Sequence, residues 1–197
     1  MNLTAPQPKK PTLLKQGHIR SLFHELGHAI HNLSTRVKYS ALHGNLSRDF
    51  LEIPSIMLEN WCWTPSVIKE LGYHYSYISD AFLEAWKESS EDTDIRPNRI
   101  LDDEMIENLI NSRHTNQSVG VLRQCHIGTF DMAIHSPSSH EEAEAMNPSE
   151  MWNRLMSEVT MLSGMEKLDG RWDWGHGCAR LGALVRGYDA GYYAYPL

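Results

Sequence analysis

The sequence has no CxxC pair: its three cysteines, Cys62, Cys125 and Cys178, are odd in number and widely separated. That spacing argues against a disulfide framework and predicts reduced thiols in an intracellular protein, cytoplasmic or, as the alternative, mitochondrial. There is no stretch of 18 apolar residues, and the first twenty residues carry Pro6, Pro8, Lys9, Lys10 and Pro11 but no apolar signal core. A membrane span and a secretory signal are therefore not expected. Asn-x-Ser/Thr triplets at Asn2, Asn32, Asn45 and Asn116 read as incidental in a protein that is not secreted. No basic block is longer than Lys9-Lys10, and the formal net charge is −7. A nucleic-acid or anionic-membrane partner is disfavoured; the expected partner is small, or neutral to basic. No alternating strand pattern and no internal repeat occurs. What is present, 197 residues with 41% hydrophobic content and six Trp, is enough for one domain with a real core.

The stretch Leu22-Phe23-His24-Glu25-Leu26-Gly27-His28-Ala29-Ile30-His31 places two imidazoles at i and i+4 with a carboxylate beside the first, the pattern HExxH. On a helix, four residues advance about 6 Å and return nearly to the same face, so His24 and His28 can close on one zinc ion. Glu25, rotated about 100° from His24, is placed to reach a water on that ion rather than the ion itself. With eleven His in the chain, an accidental match is the competing reading. Against it, Leu22, Phe23, Leu26, Ala29, Ile30 and Leu33 supply the apolar spacing of a buried active-site helix.

Residues 1–16 read as an extended lead-in, because each proline biases the residue before it away from helix. A helix is expected from Gly17 or His18 to Ser34, then a polar turn through His43-Gly44-Asn45, in which His43 is either a substrate contact or part of a plain turn. Arg48 to Trp63 reads as one helix carrying Glu52 and Glu59 on the same face, with Asp49 and Glu52 as a capping box and Pro54 in the first turns. Thr64-Pro65 predicts a cap and a helix to about Tyr77, with further helices over 80–88, 102–112, 117–135 and 147–162. Residues 89–97 and 137–139 read as surface connections, and Met105, Met132, Met146, Met151, Met156, Met161 and Met165 as packing residues. The predicted fold class is mainly α. The last stretch, Trp172 to Tyr195, interleaves Tyr with Gly and Ala and reads either as a flexible, hydroxyl-lined loop or as an aromatic segment packed on the core.

A catalytic zinc usually takes three protein ligands, so His24 and His28 need a third. His31, at i+7 from His24, lies roughly 10 Å further along the axis and is better suited to shaping or capping the site. The pattern HExxHxxGxxH needs Gly and His where this chain has His31 and Ser34. Glu52, 24 residues after His28 (52 − 28), can return to the site on a second helix, with Glu59 as its competitor or as the acceptor for a ligand imidazole N–H. Such a set predicts peptide-bond hydrolysis, with Glu25 as general base and phenolic O–H groups of the C-terminal stretch as oxyanion donors.

Three motifs in order now carry a likeness: Phe23-His24-Glu25-Leu26-Gly27-His28, then Arg48 to Ser55 with Met57-Leu58-Glu59-Asn60-Trp61, then Gly187-Tyr188-Asp189-Ala190-Gly191-Tyr192-Tyr193-Ala194-Tyr195. The chain resembles the thimet oligopeptidase family of zinc peptidases, M3, in particular its fungal saccharolysin-like members. The resemblance implies a multi-helix, zincin-like catalytic domain over residues 17–197, one Zn2+, and cleavage of short peptides. It also implies that His24, His28 and Glu52 are the zinc ligands and Glu25 the base. Tyr188 and Tyr195 would hold substrate and stabilise the oxyanion, with Tyr192 and Gly187 as further substrate contacts. Where the family has a His before the Gly-Tyr segment, this chain has Ala183. Family members also extend further at both ends, so the chain resembles a partial catalytic domain. Two function classes follow: an active zinc endopeptidase, or an inactive zinc-binding remnant that binds peptides without cleaving them. A purely structural helical protein is a distant third reading.

Overall fold

The computed structural model describes residues 5, 9–44, 46–90 and 95–196. Asn2, Pro6, Pro8, Asn45 and part of the connection expected over 89–97 lie outside the described residues. The protein is mainly helical, and no strand occurs among the described residues. None of their helices is long and apolar enough to cross a membrane.

Contacts divide the chain into two compact units: Met1–Leu46 with Leu51–Thr115, and Ser47–Phe50 with Asn116–Leu197. The first unit holds α1 (Gln16–Ser34), α3 (Ile53–Glu59), α4 (Pro65–Leu71), α5 (Asp80–Ser89) and α6 (Asp103–Ser112). The second holds most of α2 (Arg48–Leu51), then α7 (Gln117–Ile134), α8 (His140–Ala145), α9 (Pro148–Thr160) and α10 (Glu166–Asp169). Several starts are set by local chemistry. Ser79, Asp102, Ser139 and Asn147 each accept a backbone N–H of the first turn, which answers an otherwise orphaned donor. Thr64 precedes proline as expected, but its side chain makes no cap bond.

The helix expected over 48–63 is broken. Its backbone runs as α2, a junction at Glu52, α3 and a 3-10 turn over Asn60–Trp63. Pro54 has no N–H to continue an i→i−4 ladder, and it sits instead in the first turn of α3, where that N–H is not needed. Asp49 does not stand where a capping box would need it: α2 already begins at Arg48, and the Asp49 carboxylate accepts from Tyr193 Oη at 2.5 Å. The helix after Pro65 ends at Leu71, before Gly72, and a separate 3-10 turn spans Tyr75–Tyr77.

The core of the first unit includes Cys62, Ile68, Tyr75, Ala85, Trp86 and Ile106. That of the second is built between α7 and α9, where Ile127, Phe130 and Leu184 pack with Ile134, Met151, Trp152 and Leu155. Two expectations about burial fail. Leu22, Leu26, Ile30 and Leu33 are exposed rather than buried, because α1 presses on α3 through the face carrying His24, Gly27 and His28. Met105, Met132, Met161 and Met165 are exposed as well, while Met151 packs in the core.

Candidate functional site

Two features of the sequence bring α1 against the start of α3. One is Gly27: a Cβ built there would lie 2.5 Å from Ser55 Cα and 2.6 Å from the Pro54 carbonyl oxygen, so only glycine permits this approach. The other is the break at Glu52, whose carboxylate is carried into the crossing and is 2% exposed. Glu52 Oε2 lies 3.3 Å from His24 Nε2 and 3.4 Å from His28 Nε2, and accepts from Ser55 Oγ at 3.0 Å. The two imidazole rings stand nearly perpendicular, with centroids 4.9 Å apart. Among the described residues, His24, His28 and Glu52 form a group whose donor atoms all lie within 4.8 Å of one another.

Chemistry and spacing of this donor set fit a divalent metal. Two ligands each about 2.0–2.1 Å from a tetrahedral zinc stand about 3.3–3.4 Å apart, which is the separation of Glu52 Oε2 from either Nε2. A buried carboxylate also requires a compensating charge or donor set.

Glu59 lies on the far side of His24. Its Oε1 is 2.8 Å from His24 Nδ1, and Arg20 Nε donates to its Oε2. With Nδ1–H donated to Glu59, His24 keeps the lone pair of Nε2 on the side facing Glu52. Arg20 was not singled out in the sequence; its signal is its place one turn before His24 on α1. Glu25 is exposed on α1, and His31 is half-buried one turn after His28, outside the group of three. His43 is exposed in the turn that follows a 3-10 segment over Ser40–Leu42.

The second unit contains the tyrosine segment, and it is tied down rather than loose. Asp131, on α7 and 0% exposed, accepts from the backbone N–H of Ala190 at 3.1 Å and of Tyr192 at 2.9 Å. His135 Nδ1 lies 3.0 Å from the same carboxylate and 2.8 Å from the Asp131 carbonyl oxygen. Arg48 donates to the Asp189 carbonyl at 2.6 Å and lies against Gly191. Gly187 takes φ +105°, a conformation that disfavours any side chain, and its N–H donates to Asp189 Oδ1 at 3.1 Å. The N–H of Asp189 itself, and after it that bond from Gly187, hold the Asp189 carboxyl below its usual range.

These anchors bring three of the predicted residues together. The Tyr188 and Tyr195 rings have centroids 5.2 Å apart, and Tyr192 stands 5.1 Å from Tyr195. Tyr192 Oη donates to Gln124 at 2.8 Å, and burial pushes its phenol up. Ala183 sits in a 3-10 turn over Gly182–Val185, where its carbonyl accepts from the Tyr188 N–H at 3.1 Å. Asp131 is the residue that sequence reading missed here; the signal is a lone acid in the apolar run between Ile127 and Ile134.

Residues 1–196 match peptidase family M3. The chain is 39% identical to oligopeptidase PhomG' of Diaporthe leptostromiformis, over 100% of this chain and 16% of that protein. It is 32% identical to a thimet-like oligopeptidase of Dictyostelium discoideum, over 98% of this chain and 25% of the relative. Against saccharolysin of Saccharomyces cerevisiae the identity is 30%, over 98% and 24%. The chain thus spans a quarter or less of the length of these curated relatives. With a match over nearly its whole length, the chain belongs to peptidase family M3.

Proposed function

We propose that the chain is the metal-binding part of a zinc endopeptidase that hydrolyses short oligopeptides, with residues 17–197 as a partial catalytic domain. One observation carries this reading: a single buried oxygen, Glu52 Oε2, faces two imidazole nitrogens at the spacing of tetrahedral zinc ligands. His24, His28 and Glu52 would hold the ion, and Glu59 would orient His24. Zinc in such a set supplies Lewis-acid polarisation of a scissile carbonyl and brings the pKa of water to about 7. Glu25, next to His24 on the same helix, takes the proton from the attacking water onto its carboxylate and passes it to the leaving amine. Tyr188 and Tyr195 hold the peptide and donate to the oxyanion, Tyr192 offers its ring, and Gly187 keeps the backbone close to the peptide.

The partners in this reading are short peptides, with no nucleic-acid or membrane role, and the setting is the cytoplasm or, alternatively, the mitochondrion. Free Cys62, Cys125 and Cys178 support an intracellular compartment. One observation favours a second reading, a zinc-binding chain that holds peptides without cleaving them: Ala183 offers no side-chain donor where the family resemblance implies a His. Metal content and turnover of a quenched fluorescent oligopeptide test both. One zinc per chain with zinc-dependent cleavage supports the peptidase; zinc without cleavage favours the binder; no zinc removes both.

A further inference from the structure

We propose that Asp131 is a positioning residue for the tyrosine segment, setting the placement of Tyr188 and Tyr195 from beneath. This rests on the peptidase reading for its catalytic consequence, though not for its geometry.

A sequence running Gly187-Tyr188-Asp189-Ala190-Gly191-Tyr192 has two glycines and no helix of its own until Tyr192, so its unbound backbone samples many conformations. Both oxygens of Asp131 are used in fixing it: Oδ1 accepts from Ala190 N–H and Oδ2 from Tyr192 N–H, so one rigid carboxylate pins two backbone points two residues apart. Ala190 is held at φ +52°, a left-handed conformation that a non-glycine residue adopts only when its surroundings require it. Tyr192 N–H opens the 3-10 turn Tyr192–Ala194, so the second oxygen answers a donor that the turn itself leaves unpaired. Tyr188 lies two residues before the first pinned point and Tyr195 three after the second.

Asp131 itself is held. His135, one turn on, points Nδ1 at Oδ1, and the carboxylate itself is 0% exposed, so its oxygens are given to these partners rather than to water. One turn before Asp131, the Tyr193 backbone lies on α7 at Gly128, 3.7 Å from where a Cβ would stand, at ordinary contact distance. The outer anchors, Arg48 on Asp189 and Asp49 on Tyr193, are exposed hydrogen bonds, so the buried carboxylate is the firm one.

The test compares the parent chain with Asp131→Asn, which keeps the volume, loses the charge and can accept at one position only. Asp49→Asn serves as a control that leaves Asp131 in place. Amide exchange at Ala190 and Tyr192 should be slow in the parent and about 10-fold or more faster in Asp131→Asn, with α9 amides unchanged. The nuclear Overhauser contact between the Tyr188 and Tyr195 rings should weaken in Asp131→Asn and persist in Asp49→Asn. Zinc content should not change, and kcat should fall about 10-fold or more with KM within about 3-fold. Fast exchange at Ala190 and Tyr192 in the parent overturns the proposal, even if Asp131→Asn fails to fold. So does an Asp131→Asn chain that keeps the ring contact and the slow amides, or one that loses protection equally across α9. A parent without turnover removes the peptidase reading alone, since exchange and the ring contact still decide the placement.

Discussion

Glu59 Oε1 lies 2.8 Å from Nδ1 of His24, on the opposite edge of the ring from Glu52. A partner in that place orients an imidazole without touching the ion, and such partners are worth about 10–100-fold in metal affinity. Glu59→Ala should therefore weaken zinc by about that factor, and Glu52→Ala by considerably more. Competition with a chelating dye measures both. Loss of metal in Glu59→Ala with retention in Glu52→Ala would reverse the two roles.

Gly27 and Gly120 both sit inside helices, yet a methyl group should act oppositely at each. At Gly27 it would meet the Ser55 and Pro54 backbone, so Gly27→Ala should cost about 1–3 kcal/mol and weaken zinc by prising α1 from α3. At Gly120 nothing lies within 4 Å, and Gly120→Ala should add about 0.5–1 kcal/mol through helix propensity. Urea unfolding of the two variants gives the signs directly.

Glu25→Gln should retain zinc and lose hydrolysis. A neutral amide cannot take the water proton, whereas His24, His28 and Glu52 are left in place. Undiminished turnover with full metal content would remove Glu25 from the base role.

Burial lowers the pKa of His126, whose Nε2 is 2.9 Å from the Trp152 carbonyl, and burial with the nearby Arg96 does the same to His74. An unfolded His binds its proton near 6.5, so below that pH the unfolded chain holds more protons than the folded one. Stability should thus be highest above pH 6.5 and fall as the pH drops through the window between 6.5 and the folded values. Urea midpoints from pH 8 to 5, taken in chelator, should fall less steeply for His126→Gln than for the parent. Equal slopes would mean that His126 is not buried neutral.

Ala183→His places an imidazole in the turn whose carbonyl holds the Tyr188 N–H. One restored donor at an oxyanion is worth about 10²–10³ in turnover, so this variant should cleave the fluorescent peptide faster than the parent. Equal rates, with the tyrosine rings still in contact, would show that the missing His does not limit the reaction.

Legibility in the sequence follows the range of the interaction. Helix starts at Asp80, Asp103 and Pro148 could be read because the capping side chains stand next to the N–H groups they answer. The grouping of His24 with His28 was readable for the same reason, four residues on one helix face. Asp131 was not, because the amides it receives lie 59 and 61 residues further on. The junction at Glu52 was missed because apolar periodicity runs through it unchanged, although Pro54 alone should have stopped the ladder there. Apolar spacing on α1 also gave the wrong buried face, since spacing says which residues share a side and not which side meets a neighbour.

The three candidate ligands all belong to the first unit, two on α1 and one at the head of α3. An ion there would act as a bolt through a two-helix crossing that glycine has already drawn tight, and its binding energy would be felt by that unit first.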